Sequence, residues 1–283
     1  MSQIGPYTLH TIECGRFRLD GGAMFGIIPR VLWERRIPPD DRNRIRMSMR
    51  SLLLEGDGRL VLIDNGAGNK YDQRFRDIYA LEGCLLEASL KKAGFSVEDV
   101  TDVILTHLHF DHAGGSTDRR GSRIAPKFKN AIYHLQQHHL EVARNPNIRE
   151  RASFFAHNFE PLAASGQLKT HPGGGSIFPG IDLLVMNVHT TAQQLVKVSG
   201  REGALVFCAD LLPTVHHLRG PWVMAYDVQP LITMKEKEVF LREALEHQWQ
   251  LFFEHDPEVT VASLHETEKG IATCMPRSLA EIF

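Results

Sequence analysis

The stretch Thr106-His107-Leu108-His109-Phe110-Asp111-His112 follows directly on the apolar run Val103-Ile104-Leu105 and leads into Ala113-Gly114-Gly115. A short β-branched apolar run reads as a buried strand, and the small residues behind the histidines predict a tight turn. Within a continuing strand His107, His109 and Asp111 would share one face and His112 would point away. On a turn at the strand's end all four can converge on one point. Any fold for this chain must therefore end a buried strand in an open, polar corner. Imidazoles with a carboxylate, and no cysteine among them, suit zinc, iron, manganese or cobalt and argue against a closed structural zinc site. A polar loop of satisfied histidines is the plainer alternative, and this dense spacing disfavours it.

The 283 residues allow one large domain or two small ones. A hydrophobic content of 43% and a charged content of 23% describe a globular chain with ample core material. The formal charge of −2 gives no support for wholesale binding to nucleic acid or an anionic membrane. Cys14, Cys84, Cys208 and Cys274 are scattered and read as reduced thiols rather than a disulfide framework. Residues 1–14 lack a basic flank followed by an apolar core, and no apolar stretch is long enough to cross a bilayer. Cytoplasmic localisation is the resulting expectation.

The chain opens on a loosely alternating strand at 7–19. Residues 23–29, bracketed by glycines and a proline, favour a loop, and seven arginines within 30–50 read as a solvated or interface segment. Strands at 47–54 and 60–63 flank Glu55-Gly56-Asp57-Gly58, a hairpin signal, and the second strand ends in Asp64-Asn65-Gly66. Asp64 is either functional or the nucleus of an Asx turn. A helix is expected over 82–93, capped by Gly94, and another over 135–143 with His134, His138 and His139 as surface or core histidines. Residues 144–166 read as a helical or lid-like connection lining a pocket. Strands follow at 181–188, 194–198 and 204–209, two of them ending in His189 and Asp210. A capping box at Thr233-Met234-Lys235-Glu236 opens a helix to about Trp249, with Val239 on its buried stripe. Short strands at 251–253 and 259–264 enclose Glu254-His255-Asp256. The alternation of helices and strands predicts a sheet covered by helices.

Asp64, the histidine cluster, His189, Asp210 and His255 each follow a short apolar run, and strand-end loops are where distant residues meet in layered α/β folds. With this pattern the chain resembles the metallo-β-lactamase superfamily: His107-x-His109-x-Asp111-His112 matches its hallmark, and the similarity spans about 45–265. The resemblance implies an α/β chain in a four-layer αββα sandwich, one domain over 1–283. In it, 20–50 serves as an N-terminal loop that contacts a second copy or lines the pocket. It implies two divalent ions, zinc foremost, with iron, manganese or cobalt as alternatives. His107, His109 and His189 would hold one ion, Asp111, His112 and His255 the other, with Asp210 bridging and Asp64 orienting ligand imidazoles from behind. Gly22-Ala23-Met24-Phe25-Gly26, Pro221-Trp222 and Phe253-Glu254-His255-Asp256 look most like the quorum-quenching N-acyl-homoserine lactonase branch.

The sequence also departs from the family pattern. Val188-His189-Thr190-Thr191-Ala192-Gln193 replaces the usual Gly-His-Thr-Pro-Gly-His, and Pro213 stands where well-known lactonases carry a tyrosine. Tyr226 is the candidate substitute from another loop, and Phe25 is a candidate substrate contact. The expected activity is opening of a lactone, or cleavage of a related ester, by hydroxide bridging the two metals. Asp111 and Asp210 would be its catalytic acids, Asp111 guiding a proton toward the leaving group. Phosphotriesterase or arylesterase chemistry is the nearest rival. A di-iron redox enzyme is disfavoured because no flavin module is attached, and a nuclease by the modest charge. The expected partner is a small molecule, with a homodimer possible.

Overall fold

The computed structural model describes residues 2–268, 270–273 and 278–282; Cys274 lies outside them. A seven-stranded sheet runs in the order Gln3–Ile4, Tyr7–Asp20, Arg44–Gly56, Arg59–Ile63, Asp102–Ile104, Ile132–Gln136, Leu168–His171. It is antiparallel as far as Arg59–Ile63 and parallel from there on. A six-stranded sheet follows the order Gly175–Phe178, Ile181–Met186, Gln193–Gly200, Gly203–Phe207, Gln250–Phe252, Val261–Ala262. Its one parallel pair joins Gly203–Phe207 to Gln250–Phe252.

Side-chain alternation divides the core into two clusters. Leu53, Leu62 and Val103 face the cluster with Leu86, Leu90, Phe159 and Leu162 of the helices Leu86–Lys92 and Ala156–Ala164. Their neighbours Leu52, Leu54, Val61, Ile63 and Ile104 face the other cluster, with Leu183, Leu195, Phe207 and Phe252 of the smaller sheet. A period of two thus packs the larger sheet on both faces, helices on one and a sheet on the other. Phe240, Leu241 and Ala244 of the helix Pro230–Glu246 join the second cluster and complete the αββα order. Gln194 stitches the sheets at the edge that matters. Its N–H donates to Thr106 O (2.9 Å) and its side chain to Leu105 O (2.8 Å), while Gln136 donates to Gln194 Oε1 (2.7 Å).

Several elements differ from the sequence expectation, each for a physical reason. Residues 20–50 are loop only in part, at 26–29 and 34–43. Asp20 caps the helix Gly21–Phe25 by accepting from Ala23 N (2.9 Å), Arg30–Trp33 is a second short helix, and Arg44–Gly56 is a strand. Gly21 is required there, because a Cβ would stand 2.4 Å from the Trp33 ring. The helix expected from residue 82 begins at Leu86, since Glu82 exchanges two backbone hydrogen bonds with Arg16 and Gly83 is left-handed. Leu135 lies in the strand Ile132–Gln136 and the helix is Gln137–Arg144. His134 therefore sits in the sheet, bonded to Asp102 and His171, and shares no helical face with exposed His138. The expected strand 259–264 is broken, with Val261–Ala262 in the sheet and Leu264–Thr267 paired to Gly270–Thr273. The last long helix starts at Pro230, where proline's missing N–H costs nothing, so Thr233 lies inside it and Val239 is 61% exposed.

Among the described residues no helix is long and apolar enough to cross a membrane. Cys14 and Cys208 are buried free thiols and Cys84 is exposed. Ile27, Val31 and Leu32 of the 20–50 segment turn outward.

Lys237 is a buried cation satisfied by backbone alone. Its ammonium donates to His217 O (2.9 Å), Arg219 O (2.9 Å) and Trp222 O (2.8 Å), and burial pulls its pKa down to about 8 against the attraction of Asp227. Lys237→Met would leave those carbonyls unpaired. A destabilisation of about 3 kcal/mol is expected, since charge-assisted bonds are worth roughly 1.5–3 kcal/mol each and partial resolvation offsets the rest. Denaturant unfolding checks it, and a loss below about 1 kcal/mol would show that the loop 217–222 does not depend on this residue.

Candidate metal centre

Every candidate ligand sits just past a strand end on the edge shared by the two sheets. Ile63 leads to Asp64 and Ile104 to the histidine turn. Phe207 leads to Asp210 and Phe252 to His255, while His189 lies between Ile181–Met186 and Gln193–Gly200. The turn expected at 113–115 is a one-turn helix, Phe110–Ala113, continued as the 3-10 turn Gly114–Ser116. Glycine is needed because a Cβ on Gly114 would meet Ala67 O at 2.1 Å, and one on Gly115 Asn65 O at 2.1 Å. That close approach lets the 64–67 segment bond to the turn, Asn65 N to His112 O and Gly115 N to Gly66 O.

The seven side chains named from the sequence as ligands are brought together. His107, His109 and His189 form one group able to hold an ion, and Asp111, His112 and His255 form another. Asp210 lies between them: its Oδ2 is 3.2 Å from His189 Nε2, 3.5 Å from His112 Nε2 and 3.9 Å from His107 Nε2, and its Oδ1 is 3.3 Å from His255 Nε2. His109 Nδ1 and His189 Nε2 are 2.9 Å apart, and His112 Nε2 and His255 Nε2 are 3.1 Å apart. Two nitrogens about 2.0–2.1 Å from a shared tetrahedral zinc are separated by roughly 3.3 Å, so these spacings fit such an ion. His107 Nε2 and Asp210 Oδ1 are buried with no hydrogen-bond partner. Unpaired buried polar atoms are costly, and a cation in each group would satisfy them, His107 Nε2 in the first and Asp210 Oδ1, on the His255 side, in the second.

The outer nitrogens are held from behind. Asp64, at φ +54° and fully buried, accepts from Thr106 N (2.8 Å), Thr106 Oγ1 (2.6 Å) and His112 Nδ1 (2.9 Å). Thr106 Oγ1 in turn accepts from His107 Nδ1 (3.0 Å). His255 Nδ1 donates to Ser48 O (2.8 Å), and His189 Nδ1 to Asp227 Oδ1 (3.1 Å). His109 turns Nε2 toward Glu150, 3.9 Å away, whose carboxylate accepts from Thr190 Oγ1 (2.7 Å). Such partners fix the tautomer and ring angle of an imidazole ligand. His139, buried and with its pKa lowered to about 4 by that burial, accepts from Leu108 N and donates to Thr191 O. It staples the first ligand loop to the loop carrying His189.

The electrostatics are those of a crowded, dry cluster. Burial together with neighbouring His112 and His109 holds His107 well below the usual imidazole range. Burial opposes charge on His112 as well, but Glu254, Asp210 and Asp111 outweigh it and push its pKa well up. Asp210 and Glu254 likewise overcome burial at His255, raising it to about 9. Burial works against the Asp210 carboxylate, yet His189, His112 and His255 hold it well below the ordinary value. Burial, with Asp64 nearby, raises Glu254 to about 8 against the pull of His112, whose Nδ1 is 3.0 Å away. Imidazole must be neutral to ligate, so a cation entering this cluster displaces protons.

Above the cluster lies a cavity of about 250 Å³. His109, Asp111, His189, Asp210 and His255 form its polar floor, and Leu19, Met24, Met47, Phe110 and Met224 its apolar walls. Tyr226 lines it, as does the 149–153 part of the segment expected to be lid-like. Phe25 does not; it is fully buried, stacked on His217 (5.1 Å, 9°) and Trp33 (5.6 Å, 20°), and supports Met24 from behind. Asp227, Glu150 and Glu254 escaped sequence reasoning. Glu254 adjoins a ligand histidine, which is a usable signal, whereas Asp227 and Glu150 stand in loops that carry none.

The profile described as Metallo-beta-lactamase superfamily matches residues 50–260. A probable metallo-hydrolase of Mycobacterium tuberculosis is 26% identical, the match covering 77% of this chain and 74% of that protein. An N-acyl homoserine lactonase of Bacillus cereus is 26% identical over 58% of this chain and 63% of its own length. The crystal structure of a probable metal-dependent hydrolase from Staphylococcus aureus superposes with a TM-score of 0.89 at 27% identity, covering 98% of this chain and 99% of that one.

Asp227 makes the sharpest test of the outer contacts, because it reaches only one ligand imidazole. Asp227→Asn is expected to weaken metal retention about 10- to 100-fold in chelator competition. Unchanged retention would mean that His189 is positioned by other groups.

Proposed function

The chain belongs to the metallo-beta-lactamase superfamily, and from that premise we propose that it is a dinuclear metal-dependent hydrolase that opens a lactone or cleaves a related ester. The observation that carries the proposal is the joint orphaning of buried His107 Nε2 and Asp210 Oδ1 inside a ring of ligating side chains, at the floor of an apolar cavity. His107, His109 and His189 would hold one ion, Asp111, His112 and His255 the other, and Asp210 would touch both. Zinc is the ion proposed, since imidazole and carboxylate donors without thiolate suit an open catalytic zinc site. When bound, such ions polarise a substrate carbonyl and bring the pKa of water down to about 7.

The remaining work falls to the chain's own residues. Leu19, Met24, Met47, Phe110 and Met224 exclude bulk water and hold the apolar part of a substrate, which strengthens every charge interaction at the floor. Asp111 lines the cavity with its Oδ2 3.7 Å from His255 Nε2, placed to pass a proton to a departing alkoxide. The Tyr226 phenol, protonated at neutral pH as any tyrosine is and pushed further up by its partly buried position, would be a donor for a substrate carbonyl and fill the role left open by Pro213. Phe25 enters this scheme as the support of Met24 and not as a substrate contact. The lactone reading draws on the Bacillus cereus relative, itself a lactonase by name. Phosphotriesters and aryl esters present the same kind of electrophile to the same floor and are the alternative substrates. A di-iron redox role has no comparable support. The proposed setting is cytoplasmic, with a small-molecule substrate.

Metal analysis of purified protein, coupled to a panel of lactones, aryl esters and phosphotriesters, tests the proposal. Lactone opening that disappears with chelation and returns with zinc is the expected result. A fully loaded protein that opens no lactone and cleaves no ester refutes it, and phosphotriester turnover alone selects the alternative. Asp210→Ala should abolish turnover and lower the metal content per chain. Full activity with intact metal would remove the bridging role.

A further inference from the structure

Arg149 is the one Arg or Lys among the described residues that line the cavity, and nothing in the hydrolytic scheme uses it. Its place is built. Asn147 organises the turn, its Oδ1 accepting from Arg149 N (2.9 Å) and Glu150 N (3.2 Å), its amide donating to Glu150 Oε1 (2.6 Å). The turn sends Glu150 down onto Thr190 beside His109 and leaves Arg149 above it. There Arg149 Nη2 donates to Ala225 O on the opposite wall, next to Tyr226. No carboxylate forms an ion pair with Arg149 among the described residues, although eleven Arg or Lys ion pairs and several His pairs form elsewhere among them.

A guanidinium held by one carbonyl keeps Nε and Nη1 for another acceptor, in a planar fork that matches a carboxylate. Arg149 is exposed, so its charge acts at the solvent-facing mouth, and Leu19, Met24, Met47 and Met224 offer it no competing acceptor. A volume of about 250 Å³ is below the roughly 300–1,000 Å³ usual for ligand pockets, so an occupant of the floor is also within range of the mouth. A single cation balances a single negative charge, which favours a carboxylate over a doubly charged phosphate ester.

We propose that Arg149 makes this cavity selective for a compact lactone or ester that carries a carboxylate beyond its scissile bond. The proposal rests on the hydrolase reading and adds the substrate's second recognition element. Arg149 is a specificity residue in this assignment: it touches the distal group and not the reacting atoms. Long, uncharged acyl chains are the substrates it disfavours.

The test compares γ-butyrolactone-γ-carboxylate with γ-valerolactone, which differ by a carboxylate for a methyl, on the metal-loaded protein. The wild type is expected to favour the carboxylate at least ten-fold in kcat/KM, mostly through KM. Arg149→Met should reduce that ratio ten-fold or more, and Arg149→Lys should retain part of it. A binding readout runs beside it: calorimetry with glutarate and butyrate should show a preference for the dicarboxylate that Arg149→Met loses. A wild type that prefers the neutral lactone overturns the proposal even if Arg149→Met fails to fold, and so does an unchanged ratio in a folded variant. Failure to open either lactone or any ester counts against the hydrolase reading instead, and in that case a glutarate preference dependent on Arg149 would still stand for the anion site.

Discussion

The Asp64 carboxylate is the contact from which the site is built. It stands at the end of Arg59–Ile63 in a left-handed backbone conformation that a non-glycine residue adopts only when its surroundings impose it. Those surroundings are Thr106 N, Thr106 Oγ1 and His112 Nδ1, three donors on the neighbouring strand's extension that together consume its buried charge. One side chain thus converts parallel pairing of two short strands into a fixed geometry for two histidines, His112 directly and His107 through Thr106. Without it His112 Nδ1 would keep only Glu254, and Thr106 would lose the acceptor that orients its hydroxyl toward His107, while the turn would still be tied by Asn65 N to His112 O and by His139 to Leu108 N.

The same logic extends outward by pairs. The two sheets are clipped where ligands from each must meet, by Gln194 on the carbonyls of 105 and 106 and by Ser48 and Arg50 N–H groups on the carbonyls of His255 and Glu254. Each clip satisfies backbone groups that strand-end loops would otherwise leave buried and unpaired. The pKa directions carry the same message. Imidazoles pushed up at His112 and His255 and down at His107, around a carboxylate held low, describe a cluster whose acidic side chains draw in positive charge.

How much of this was legible in the sequence follows from where each residue's partner lies. His107, His109, Asp111 and His112 announce themselves because their spacing is local, and Asp64, His189, Asp210 and His255 because each ends an apolar run. Asp227 and Glu150 are silent. What places them is a hydrogen bond to a residue about forty positions away; Asn145-Pro146-Asn147 marks a turn before Glu150, but a turn signature does not mark a site. The helix expected over 135–143 begins at Gln137 for a similar reason: residues 135 and 136 belong to the strand Ile132–Gln136, where His134 and Gln136 find Asp102 and Gln194, and pairing overrides propensity. Phe25 shows the opposite error, a recognisable motif residue whose ring serves the core while its neighbour Met24 faces the cavity.

The helix on the far side of the smaller sheet reaches the candidate metal centre through a short chain of bonds, which bears on where specificity can evolve. Lys237 fixes the carbonyls of 217, 219 and 222. His217 bonds to Met24 O and stacks on Phe25, and Met224 N donates to Asp227, which holds His189. Met24, Met224 and the loop bearing Tyr226 therefore form the stiff wall of the cavity, tied at once to the core and to a ligand. The facing wall, 147–153, is secured by Asn147, by the Glu150–Thr190 bond and by the reach of Arg149 to Ala225. Changes around Met224 and Asp227 on the stiff wall bear on the imidazole of His189. Changes at the tip of the facing wall alter what fills the mouth while Glu150 keeps its place beside His109, so a new substrate can be admitted there without rebuilding the floor.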